Sequence, residues 1–101
     1  MKIYGSLLCP DCIACKEAFD QCGITYDFID ILNSLSNLKE FLALRDNDSL
    51  FEDVKKGNSI GIPCCIEGDD MFLDWAGYLK EHGYSYKEKA PVMCSLEHKN
   101  C

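Results

Sequence analysis

The run Lys2-Ile3-Tyr4-Gly5-Ser6-Leu7-Leu8-Cys9-Pro10-Asp11-Cys12 decides how the rest of the chain is read. Its opening, Lys2 to Gly5, is short and β-prone. Pro10 suits the first position of a helix, and the stripe Cys12, Cys15, Phe19 and Cys22 carries that helix onward. Gly23 closes it from the C′ position. Cys9 therefore falls at the N-cap, where unpaired backbone N–H groups and the positive end of the helix dipole favour a thiolate over a thiol. A free cysteine ionises at about 8.5, and thiols of Cys-x-x-Cys motifs at about 3.5–7.5. Cys12 lies one turn further, near enough to close a disulfide and deeper in the fold. The motif thus reads as an attacking sulfur at the surface with a resolving sulfur behind it. The charge on Asp11 opposes the thiolate, so a weaker depression is expected than a neutral dipeptide would give.

The whole composition fits that reading. With 101 residues and 48% apolar side chains, the chain suffices for one domain with one core, and 27% charged residues set it apart from disordered sequences. Seventeen acids against ten bases give a net charge of −7, which disfavours nucleic acid and anionic membrane surfaces as partners. The apolar runs are far too short for a spanning helix, and Met1-Lys2-Ile3-Tyr4-Gly5 lacks the apolar core of a secretory signal. Eight cysteines would suit a secreted disulfide scaffold, but they cluster as Cys9, Cys12 and Cys15 and as Cys64-Cys65. Adjacent cysteines, and cysteines three apart on a helix, do not staple distant loops. A reducing, cytoplasmic setting and chemical roles for the thiols are expected.

Beyond the first helix, Ile24 to Ile29 reads as a strand rich in branched and aromatic residues. Ser34 or Ser36 caps a second helix carrying Leu38, Phe41, Leu42 and Arg45, and Asp46-Asn47-Asp48 breaks it. Ser49-Leu50-Phe51-Glu52 forms a capping box for a short helix that ends at Lys55-Lys56-Gly57. Ile60 to Ile66 reads as an apolar strand with Pro63 inside it. Glu67-Gly68-Asp69-Asp70 is a turn, and Met71-Phe72-Leu73 completes a hairpin. Asp74 caps a last helix with Trp75, Tyr78, Leu79 and His82 on one face, ended by Gly83. The order β-α-β-α-(α)-β-β-α predicts an α/β fold, a four-stranded mixed sheet flanked by helices in three layers. Residues 1–83 form the domain, and 84–101 a C-terminal tail.

Tyr4-Gly5-Ser6-Leu7-Leu8-Cys9-Pro10-Asp11-Cys12, the segment from Gly23 to Ile31, and Gly61-Ile62-Pro63 some fifty residues later resemble a glutaredoxin of the thioredoxin fold, over roughly residues 1–82. The resemblance implies that Cys9 is the nucleophile and Cys12 resolves the mixed disulfide. It implies that Pro63 is a cis-proline facing the cysteines, which also explains a proline in a buried strand. Ile62 would offer its backbone N–H and C=O to an extended substrate, and Pro10 and Asp74 would complete the binding set. Departures accompany the likeness. Ser6, Leu7 and Leu8 stand where glutaredoxins usually carry a basic residue, Phe72-Leu73-Asp74-Trp75 replaces the Gly-Gly-Cys-Asp segment, and Gly61 replaces a threonine. With few cations near the cleft, an anionic tripeptide such as glutathione gains less than usual.

The remaining cysteines read first as small buried hydrophobes. Cys9, Cys12 and Cys15 share the Cys-x₂-Cys-x₂-Cys rhythm of iron–sulfur ferredoxins, yet Cys22 comes too late and the residues between are helical. Cys64 and Cys65 alternate in a strand, so only one of them can approach Cys9 or Cys12. Cys94, His98 and Cys101 could supply three zinc ligands. The expectation is a monomeric glutaredoxin-like thiol–disulfide oxidoreductase with no metal and no tightly bound cofactor. Glutathione is a candidate electron donor beside a reductase system, and a disulfide-bearing protein is the client. A metal-binding module and a redox-silent thioredoxin-fold binding domain are the alternatives.

Overall fold

Local signals in the sequence place each helix, and the sheet gathers them. In the computed structural model, which describes residues 1–87, the elements are β1 (Lys2–Gly5), α1 (Pro10–Gln21), β2 (Asp27–Asp30), α2 (Leu35–Asn47), a 3₁₀ turn (Ser49–Phe51), α3 (Glu52–Lys56), β3 (Cys64–Glu67), β4 (Asp70–Phe72) and α4 (Trp75–Glu81). The strands lie in the order β2-β1-β3-β4, with β1 parallel to β2 and antiparallel to β3, and β3 antiparallel to β4. This is the predicted α/β fold with a four-stranded mixed sheet.

The two faces of the sheet bury separate sets of residues, as strand alternation requires. Ile3 and its register partner Cys65 pack with Cys15, Ala18 and Phe19 of α1 and with Trp75 and Leu79 of α4. Tyr4 and its partner Cys64 pack on the opposite side with Phe41 of α2, Phe51 and Ile62. Phe41 and Phe51 meet edge to face at 5.9 Å between ring centres. Helices thus cover both faces, and β1 is central to both cores.

Several boundaries differ from the sequence reading. The strand expected from Ile24 begins at Asp27, because the Ile24 N–H is taken by the Phe19 carbonyl in the cap that Gly23 (φ +71°) turns. Strand pairing starts only when Asp27 N–H reaches the Met1 carbonyl. Cys22 lies at the C-cap, half-buried, rather than within the helix. Ser34 is the cap of α2, which runs through Asp46 and Asn47 and stops at Asp48. Asp48, not Ser49, then caps the following turn, its carboxylate accepting the Leu50 N–H at 2.9 Å. The strand expected over Ile60–Ile66 starts at Cys64, since Gly61 (φ +95°) and the cis Ile62–Pro63 peptide make residues 60–63 a loop.

The predicted tail begins by packing back onto the domain. Tyr86 lies 5.7 Å from the Trp75 ring, and Lys87 and Gln21 exchange two hydrogen bonds of 2.8 and 2.9 Å. Cys94, His98 and Cys101 lie outside the described residues. No helix among the described residues is long and apolar enough to cross a membrane.

Candidate active site

Gly5 ends β1, and the loop from Ser6 to Cys9 delivers the chain to the start of α1. Ser6 builds this loop. Its carbonyl accepts the Cys9 N–H, its hydroxyl accepts the Leu8 N–H, and its own N–H points at the Cys12 sulfur at 3.5 Å. Gly5 is glycine for a reason of space: a Cβ there would stand 2.9 Å from the Cys12 sulfur and 3.1 Å from the Phe28 ring. Pro10 occupies the first helical position, as expected, and it is exposed there.

Cys9 is the N-cap of α1, and its sulfur accepts the Cys12 N–H at 3.4 Å. Its acidity is enhanced, with the pKa lowered to about 7. The hydrogen bond from the Cys12 thiol contributes most, partly opposed by burial and assisted by the backbone N–H groups of Cys12 and Asp11. The Asp11 charge opposes the thiolate, as the sequence implies, but it is the smallest of these effects. Cys12, fully buried, has its pKa raised by the same bond to Cys9 and by desolvation. The two sulfurs are therefore divided into an ionisable one and a protonated one.

One expectation needs correction. Cys9 was expected at the surface, and it is only 4% exposed. Its side chain folds back over the first turn to reach the Cys12 N–H, and it joins the cluster of Tyr4, Cys12, Ile62 and Cys64. Its chain neighbours Leu8 and Pro10 are exposed.

The other predicted site residues fall at the same end of the sheet. Ile62 shares the cluster of Cys9 and Cys12, and the bond to Pro63 is cis. None of the hydrogen bonds among the described residues engages the Ile62 backbone. Asp74 caps α4, its carboxylate accepting the Gly77 N–H at 3.0 Å, and is exposed. Of the adjacent pair, Cys64 lies on the Cys9–Cys12 side and Cys65 on the other, where Cys65 hydrogen-bonds Cys15. Burial pushes the Cys64 thiol up to about 12. Among the described residues no three His, Cys, Asp or Glu side chains are arranged to hold a metal ion.

Sequence reasoning missed the partnership of Asp11 and Trp75. The carboxyl is 6% exposed and accepts the Trp75 indole N–H at 3.3 Å. Sixty-four residues separate the two, and no spacing rule links them. Burial raises the Asp11 pKa to about 6, partly offset by the indole bond. A carboxyl held more protonated in the folded state than in the unfolded one adds stability below the unfolded value, and this is lost as pH rises through 6. The displacement corresponds to about 2–3 kcal/mol. Asp11→Asn, which keeps an oxygen for Trp75, should therefore gain stability at pH 7, with the advantage over the parent shrinking toward pH 4. Urea unfolding at the two pH values checks this; an equal difference at both would contradict it.

Against this geometry stand the relatives. The Glutaredoxin family model matches residues 1–50. An uncharacterized protein of Haemophilus influenzae is 37% identical over 73 residues, covering 71% of this chain and 85% of that protein. No solved structure matches.

Proposed function

The chain belongs to the glutaredoxin family, and from that premise we propose that it is a thiol–disulfide oxidoreductase working through Cys9 and Cys12. The observation that carries the reading is the division of labour between two free thiols hydrogen-bonded across the first turn of α1. Cys9, as thiolate, attacks one sulfur of a client disulfide; that S–S bond breaks, and the departing client sulfur takes up a proton. A mixed disulfide remains on Cys9. Cys12 then gives up its proton and attacks the Cys9 sulfur, releasing the second client thiol. The client has gained two electrons and two protons, and the protein holds a Cys9–Cys12 disulfide. An external thiol, glutathione or a reductase system, restores the dithiol by the reverse exchange.

The helix terminus serves both halves of this cycle. Its N–H groups stabilise Cys9 as the attacking sulfur and again as the leaving sulfur when the dithiol is regenerated. The Ile62 backbone beside Pro63, buried but engaged by no hydrogen bond among the described residues, supports pairing with an extended client segment, and Pro10 and Asp74 start the helices at the same end of the sheet. The reading places the protein in a reducing compartment such as the cytoplasm and needs no bound cofactor, metal or second copy.

The test is to oxidise the protein with bis(2-hydroxyethyl) disulfide and map the product. The expected product is a disulfide inside the tryptic peptide Ile3–Lys16, reducible by dithiothreitol and turned over repeatedly. A potential of roughly −200 to −230 mV is expected. Oxidation that leaves Cys9 and Cys12 as free thiols would overturn the reading.

A further inference from the structure

Helix α1 carries a thiol that the exchange cycle leaves unused. Cys15, one turn beyond Cys12, is fully buried, and so is Cys65 of β3. Both belong to the core of Ile3, Ala18, Phe19, Trp75 and Leu79, and within it the two thiols hydrogen-bond each other. The register that sets Cys65 opposite Ile3 turns its side chain to the α1 face of the sheet, while Cys64 lies on the other. Cys22 gives its S–H to the Ser85 carbonyl instead, at 3.7 Å. Among the described residues, thiols therefore meet as Cys9 with Cys12 along one helical turn, and as Cys15 with Cys65 between helix and sheet.

The second pair differs from the first in what governs thiol exchange. Stabilising Cys9 as a thiolate favours the reduced dithiol, which makes a Cys9–Cys12 disulfide the stronger oxidant. Cys15 is held protonated, first by its bond to Cys65 and then by burial, so no ionised sulfur favours the reduced form there. Burial also slows attack, because Cys15 must first be uncovered by a local opening of α1. Once formed, a bond between positions about fifty residues apart in sequence constrains the unfolded chain strongly.

We infer that Cys15 and Cys65 are a second redox site, a buried dithiol that a small disulfide oxidises to a covalent staple between α1 and β3. This goes beyond the exchange reading and uses neither Cys9 nor Cys12. During an opening, Cys15 loses its proton and attacks the small disulfide; that S–S bond breaks, and the departing sulfur takes up a proton. Cys65 then gives up its proton and attacks the Cys15 sulfur of the mixed disulfide, releasing the second small thiol. The pair has lost two electrons and two protons, and the small disulfide has gained both. Because α1 begins at Cys9 and β3 follows the Ile62–Pro63 bond, the staple ties together the two elements that frame the exchange site.

The test exposes the full chain to bis(2-hydroxyethyl) disulfide for hours, blocks free thiols by alkylation and maps the tryptic peptides. The expected product joins Ile3–Lys16 to Gly57–Lys80, with fragmentation placing the bond between Cys15 and Cys65. It should form faster in urea too dilute to unfold the protein, as a reaction gated by opening requires. In mixtures of oxidised and reduced dithiothreitol it should reach half-closure at a ratio of oxidised to reduced at least tenfold lower than Cys9–Cys12 does. A Cys9→Ser, Cys12→Ala double variant should close the same bridge, and closure should raise its Tm by about 10 °C or more. Adding Cys65→Ala should abolish both the bridge and the rise. Cys15 and Cys65 recovered as free thiols, a bond from either to another cysteine, or a bridge without the rise in Tm overturns the staple. A bridge that forms while Cys9 and Cys12 stay free supports the staple and strikes the exchange reading alone.

Discussion

Cys9→Ser is expected to reduce disulfide turnover to the uncatalysed background, a loss of at least roughly a thousandfold, as removal of a covalent nucleophile generally brings. A serine hydroxyl does not ionise near neutral pH, and the hydrogen bonds from Cys12 that stabilise a thiolate have nothing to act on. Cys12 cannot take over the attack, being fully buried with its proton held. Cys12→Ser should behave differently: it removes the resolving sulfur and leaves the nucleophile, so the variant accumulates a mixed disulfide on Cys9 visible by intact mass. The two variants are compared with bis(2-hydroxyethyl) disulfide in a coupled assay. Turnover surviving in Cys9→Ser would move the chemistry elsewhere, with half-buried Cys22 the first candidate among the described cysteines.

Gly61→Thr, which restores the residue usual in the family at this position, should destabilise the protein by about 2–4 kcal/mol. The backbone there has φ +95°, a conformation that a β-branched residue resists. A Cβ would also stand 2.8 Å from Phe51 Cδ1, 3.0 Å from its Cε1 and 3.3 Å from Val54 Cγ1. Phe51 cannot yield easily, since it is fully buried and packed against Phe41. For a domain of this size the change lowers Tm by about 10 °C or more. Ile62 and Pro63 follow directly, so turnover should fall with stability. An unaltered melting temperature would show that the loop accommodates the side chain. The departure from threonine is thus matched by an aromatic ring occupying the space.

What was legible in the sequence was what local chemistry determines. Pro10 at the helix start and Gly23 at its end bracket α1, and with them comes the N-cap position of Cys9. Ser34, Asp74 and Gly83 mark helix ends in the same way. The strand limits were less legible, because Ile24 to Tyr26 have strand composition but Ile24 is claimed by the cap of α1. The side of the sheet each cysteine faces was not legible at all. It depends on the register that sets Tyr4 opposite Cys64 and Ile3 opposite Cys65. The burial of Cys9 and the Asp11–Trp75 bond are likewise products of packing between segments far apart in sequence.

The account stands on the ionisation of Cys9, and the direct measurement is the pH dependence of its alkylation by iodoacetamide, followed on the peptide Ile3–Lys16 by mass spectrometry. Only the thiolate reacts, so the rate should rise to a plateau with its midpoint at about 7. It should fall to about a tenth of that plateau at pH 6. Cys12→Ala should remove the bond that contributes most and move the midpoint upward. A rate that climbs without a plateau through about pH 8.5, as for an ordinary cysteine, would contradict the account.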